Sequence, residues 1–116
     1  CIWGVMKIET YKPFFVNYDD GDEGTLNLYD WDMESRVSVF ESLGREGSGY
    51  DWDAIARLLA SKMGSEKSRS LHFNSEAGML SVYGPPEILL VLAEKLHNVF
   101  CDEQEIASCV SAMGAA

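Results

Sequence analysis

Positive charge is what this sequence has least of. Nine lysines and arginines stand against 19 aspartates and glutamates, a formal net charge of −10 over 116 residues. Such a surface repels nucleic-acid phosphates and anionic lipid headgroups, which disfavours direct binding to either. Long apolar runs are missing as well: none approaches the ~20 residues of a membrane span, and the first residues lack the basic-then-apolar layout of a secretory signal. Cysteine is sparse, and Cys1, Cys101 and Cys109 form an odd set without a C-x-x-C pair, a poor framework for disulfides. A reducing, cytoplasmic setting fits that usage, with Cys101 and Cys109 read as small hydrophobes in helical segments. No glycine-rich phosphate loop is present, because Gly21 and Gly24 sit among four acids that would repel phosphate.

Apolar residues are not in short supply. At 47% of the chain they are enough for a sizeable core, and the length suits one domain over residues 1–116. Position 1 is Cys rather than Met, so residues 1–6 read as a processed or truncated start or a remnant, with Met6-Lys7 the candidate native beginning. A lipidated N-terminal cysteine is disfavoured because Ile2-Trp3-Gly4-Val5 is not a polar tether. Residues 114–116 are expected to fray.

The charge is regional. Between Asp19 and Asp53 there are eleven acidic residues and only Arg36 and Arg45 as cations, so this third of the chain carries nearly all of the imbalance. A solvated, solubilising face is the ordinary explanation, and a docking surface for a basic partner is the alternative.

Period-two alternation marks strands at Phe14–Tyr18 and Leu26–Trp31, joined by Asp19-Asp20-Gly21-Asp22-Glu23-Gly24 as a hairpin with an acidic tip. A shorter strand is expected at Val5–Glu9. Val37, Phe40 and Leu43 suit a helix from Glu34 that stops at Gly44. In Gly47-Ser48-Gly49-Tyr50-Asp51-Trp52, Asp51 is the expected N-cap, and Tyr50 with Ile55 a hydrophobic staple. Trp52, Ile55, Ala56, Leu59 and Met63 then lie on one face, Asp53 and Arg57 pair outside, and Gly64 ends the helix. Ser65–Ser70 reads as a polar loop. A second hairpin follows, with Leu71 and Phe73 in one strand, Leu80 and Val82 in the other, and a turn over Asn74–Gly78. Pro86 opens a core-facing helix to Phe100, and Asp102 with Glu105 restarts a last one. The order predicts an α+β fold: an antiparallel sheet built from two hairpins, with helices packed on one face.

Catalytic and metal patterns fall short. Glu46 replaces the first glycine of a nucleophile elbow around Ser48. His72 and His97 have no triad partners in the sequence. His97, Cys101 and Cys109 are too few for zinc. Asp30, Asp32, Glu34 and Glu41 have calcium-loop spacing, but Ser35 stands where that loop needs glycine. No metal site and no cofactor is expected. Many acids could be drawn as a hydrolase pair, which discriminates nothing.

At Glu46-Gly47-Ser48-Gly49-Tyr50-Asp51-Trp52, then Ala54-Ile55-Ala56, then Phe73-Asn74-Ser75-Glu76-Ala77-Gly78-Met79, the sequence resembles the immunity protein 51 family. The match runs from the first hairpin through the Pro86–Phe100 helix and rests on order and spacing as well as the Gly-x-Gly-Tyr-x-Trp core. The resemblance implies an α+β, non-enzymatic antitoxin of bacterial polymorphic toxin or contact-dependent inhibition systems, encoded beside a toxin whose C-terminal domain it neutralises. Gly47, Gly49, Tyr50, Trp52, Glu76, Ala77 and Gly78 would be the family signature. Physically these read as structural: glycines for turns, Tyr50 and Trp52 to staple and bury a helix start, Gly78 to close a hairpin.

Many such toxins are nucleases with basic clefts, so the acidic third becomes a candidate toxin-facing surface. The candidate contacts are Asp19, Asp20, Asp22 and Glu23 at the hairpin tip, with Asp30, Asp32 and Glu34 beside Tyr29 and Trp31. The two aromatics are the hot-spot candidates. The competing reading is an acidic regulatory or calcium-binding module, which a melting-temperature shift in millimolar calcium would reveal.

Overall fold

Along Val16, Leu26, Leu28, Leu80 and Val82 every inward side chain is removed from water, while Phe15, Thr25, Asn27 and Tyr29 between them are half-buried. This alternation is the expected signature of a sheet with one covered face. A computed structural model describes residues 13–17 and 23–114 and assigns the strands as β1 (Phe15–Asn17), β2 (Gly24–Tyr29), β3 (His72–Phe73) and β4 (Met79–Gly84). The expected strand at Val5–Glu9, residues 1–6, most of the acidic hairpin tip and residues 115–116 lie outside the described residues.

The two hairpins form one four-stranded antiparallel sheet in the order β1-β2-β4-β3. They are joined by six residue pairs between β2 and β4, from Gly24 opposite Gly84 to Tyr29 opposite Met79. The sequence pattern alone did not specify this central pairing. Residues opposite one another in antiparallel strands share a face, so Leu26–Val82 and Leu28–Leu80 face the core together.

The remaining elements are α1 (Asp30–Met33), a 3₁₀ turn (Glu34–Arg36), α2 (Val37–Ser42), α3 (Gly49–Ser61), α4 (Ser65–Arg69), α5 (Pro86–Phe100) and α6 (Glu103–Gly114). α5 lies across β1, β2 and β4, α3 packs on β4, and α6 bridges α2, α3 and α5. This is the α+β arrangement expected. At its centre Trp52 is fully buried, its ring 5.9 Å from Phe14, 5.4 Å from Phe40 and 5.5 Å from Phe100. Each such aromatic contact adds about 0.5–1.5 kcal/mol beyond area burial. Among the described residues the Trp52 Nε1–H has no hydrogen-bond partner.

Several local expectations need correcting. Helix begins at Asp30 rather than Glu34, so Trp31 belongs to a helix and not to the end of β2. Carboxylates at Asp30 and Asp32 in the first turn favour that early start through the helix dipole. Asp51 is the third residue of α3 rather than its N-cap. Ser48 holds the cap: its hydroxyl accepts the Tyr50 N–H at 3.3 Å, and the Asp51 carboxylate reaches back to the Ser48 N–H at 3.3 Å. This capping box moves the helix start three residues earlier, which puts Tyr50 inside the helix at 60% exposure and removes the expected staple with Ile55. Ser65–Arg69 is a short helix, not a loop. Cys109 is buried as expected, but Cys101, at the C-cap of α5, is exposed.

Candidate functional site

β2 passes directly into α1 without a loop, because Tyr29 is both the last strand residue and the helix N-cap. The junction therefore projects its side chains at the rim of the sheet. Trp31 is 67% exposed and lies parallel to Tyr29, with centroids 5.0 Å apart and planes at 9°. Tyr29 in turn touches Phe15 at 5.9 Å. A tryptophan this open makes no contribution to the core, and its packing is confined to one ring face.

Beside Trp31 an open groove of about 320 Å³ runs between α1 and two backbone segments. Asp30, Trp31, Met33, Glu34 and Val37 line it from one stretch of chain, its near wall, and Gly47, Ser48 and Ala77 from two others, its far wall. The far wall is held by hydrogen bonds and close contact. Gly47 adopts φ +76°, a left-handed conformation that glycine tolerates without strain, and its N–H donates to Asp51 Oδ2 at 2.7 Å. Asp51 is braced by Arg45 at 3.6 Å. Gly49 presses against the β3–β4 turn, its N–H donating to the Ala77 carbonyl at 2.7 Å. Below this, Ser75 Oγ donates to Asp53 Oδ1 at 2.6 Å, Asp53 pairs with Arg57 at 2.7 Å, and Arg57 covers the Phe73 ring at 4.6 Å. The near wall is anchored by Arg36, whose Nε donates to the Phe100 carbonyl at 2.6 Å at the end of α5.

Two groups of residues named from sequence thus meet in one place. Asp30, Trp31 and Glu34 face Gly47 and Ala77, and Gly78 lies against the Asp30 carboxylate. Asp32 is half-buried on the same helical turn, and Glu23 is exposed before β2. Asp19, Asp20 and Asp22 lie outside the described residues. Sequence reading missed Ser48, Ala77, Met33 and Val37 as lining residues. No linear signal marks them, because they become neighbours only when α3 docks on the turn of the second hairpin.

The acids divide by partner. Asp51, Asp53 and Glu103 each face an arginine, whereas Asp30, Asp32 and Glu34 have no cation partner among the described residues. The calcium-loop spacing from Asp30 to Glu41 falls on helical backbone, which spreads those side chains around a helix instead of converging them on an ion. Among the described residues no group of three His, Cys, Asp or Glu is placed to hold a metal. Ser48, the near miss for a nucleophile elbow, is occupied as a helix cap.

The sequence profile for Immunity protein 51 matches residues 14–115. The chain belongs to the immunity protein 51 family. Within the matched region the segment of Gly47 and Gly49 packs on the turn that contains Glu76 to Gly78. The chain is also 28% identical over 102 residues to a highly reducing polyketide synthase of Cladosporium cladosporioides, an alignment covering 87% of this chain and 4% of that protein. No solved structure matches. Among the described residues no helix is long and apolar enough to cross a membrane.

Proposed function

We propose that this immunity protein 51 family member is a non-catalytic antitoxin that binds the C-terminal domain of one cognate bacterial toxin in the cytoplasm. It neutralises that domain by covering its active site with the acidic surface around α1. The partner is a basic domain, and a nuclease is the class whose cleft best fits, because a surface that repels phosphate can occupy a site built to attract it. The observation that carries this reading is the set of carboxylates Asp30, Asp32 and Glu34, without a cation partner among the described residues, around the exposed Trp31. An inhibitor of this kind needs no reactive group, only a complementary face of ~800 Å² per partner. The likeness to the polyketide synthase covers too little of that enzyme for its chemistry to bear on this chain.

The test is co-expression with the product of the adjacent upstream gene. A stable stoichiometric complex in which toxin activity is abolished is the expected result. A chain that neither forms such a complex nor protects cells from that toxin is not its antitoxin.

A further inference from the structure

The groove beside Trp31 is small for a cofactor or metabolite. Its 320 Å³ lies at the bottom of the ~300–1,000 Å³ span of small-molecule pockets, and its open shape suits a single long side chain. Its chemistry is specific. Asp30 and Glu34 are four residues apart on a continuous helical run, the spacing that places two side chains on one helix face. Two like charges there destabilise the helix slightly, and no cation among the described residues relieves them. Trp31, between them in sequence, has one ring face covered by Tyr29 and is otherwise open. Ser48 and Ala77, small residues from two other stretches of chain, complete the lining. Gly78 lies beside the Asp30 carboxylate, and a Cβ at that position would stand 3.6 Å from Asp30 Oδ2.

Resting on the function proposed above, we propose that this groove receives one arginine side chain of the toxin, its guanidinium stacked on Trp31 and bonded to the carboxylates of Asp30 and Glu34. Charge selects a cation. The flat aromatic platform with two acceptors selects guanidinium over ammonium, because guanidinium is planar, weakly hydrated and able to stack and bond in-plane together. The arginine is then the anchor of the complex, and the surrounding acids steer its approach.

The test begins with the free protein, so that it does not depend on the toxin. N-acetyl-arginine methylamide titrated into the ¹⁵N-labelled chain should give saturable shifts at the Trp31 indole N–H and at the Ser48, Ala77 and Gly78 amides. The citrulline analogue, of the same shape without charge, should be silent, and the lysine analogue weaker. Trp31→Ala, and separately Asp30→Asn with Glu34→Gln, should each weaken the arginine response about tenfold. Gly78→Ala, which keeps ordinary contact distances, should weaken it while leaving the melting temperature in place. Absence of a saturable response, or equal responses to arginine, lysine and citrulline analogues, would overturn the assignment. In the complex, Trp31→Ala should raise the toxin Kd roughly tenfold or more. A toxin bound with unchanged affinity by all of these variants overturns the groove and leaves the antitoxin reading standing. Arginine binding without any toxin complex does the reverse.

Discussion

A side chain at Gly49 would collide with backbone on three counts. A Cβ there would run into the Glu76 carbonyl oxygen and stand 2.9 Å from both the nitrogen and the oxygen of Met79. Backbone cannot rotate away as a side-chain tip can, so Gly49→Ala is expected to cost at least about 2 kcal/mol and to loosen the Gly49–Ala77 hydrogen bond. Urea unfolding measures the cost, and amide exchange at Gly49 reads the loosening. Gly78, by contrast, should accept alanine with little loss of stability. The cysteines also separate at this scale. Burial pushes the Cys109 thiol above its ordinary pKa, with Glu105 adding to the shift and Lys62 opposing it. Because the folded state holds that proton more tightly than the unfolded chain, stability is full below the ordinary thiol value and declines as pH rises beyond it. Iodoacetamide at pH 8 should therefore label Cys101, which is exposed, well before Cys109, and peptide mapping by mass spectrometry distinguishes the two.

The hold on the groove wall comes from elements whose ends are tied side chain to backbone. Ser48→Ala removes the acceptor for Tyr50 N–H, and Asp51→Ala removes the acceptor for Gly47 and Ser48. Each should cost about 1 kcal/mol, with the double variant less than additive because both serve one helix start. Ser75→Ala should detach the second hairpin from Asp53, raising amide exchange at Ser81, whose N–H donates to Ser75 Oγ at 3.0 Å, more than exchange in α5. How far these elements could be read from sequence follows from the range of the interactions that make them. Pro86 and the stripe from Trp52 to Leu59 act within a turn or two of their own position, and the structure places them as read, whereas Gly64, expected to end that helix, is the N-cap of α4 while α3 stops at Ser61. The Asp51 cap was displaced by three residues because two side chains in Ser48-Gly49-Tyr50-Asp51 can cap a helix, and the reciprocal box prefers the earlier one. The spacing of Trp31 continues the strand pattern of Tyr29, while the helical turn is decided by tertiary packing of Met33 and Phe40. The acidic face was legible as charge, but not its division into paired and cation-free carboxylates, which depends on where Arg36, Arg45 and Arg57 end up.

For the molecule as a whole, the charge and the fold can be separated by experiment. Asp32 is half-buried in the first turn of α1, so Asp32→Lys should lower stability by about 1 kcal/mol, the size of a helix-dipole contribution, without unfolding the chain. Long-range attraction depends on the carboxylates of α1, so association with a basic toxin should slow several-fold in that variant, and the wild-type rate should fall steeply between 50 and 500 mM salt, measured by stopped flow, as for steered complexes with rates up to ~10⁸–10⁹ M⁻¹s⁻¹. A rate insensitive to salt and to Asp32→Lys places the interface away from α1. Calcium at millimolar levels should leave the melting temperature unmoved, since the calcium-like spacing lies on helix.

The groove joins exposed side chains of α1 to the segments around Gly47 and Ala77. Those segments are fixed by Gly47 and Gly49, where substitution disturbs folding. The other side, at Asp30, Trp31 and Glu34, carries almost none of the core. A surface divided in this way can change what it recognises by replacing a few residues on α1 while the architecture behind it stays constant, so specificity and foldability are inherited on different strands of the same site.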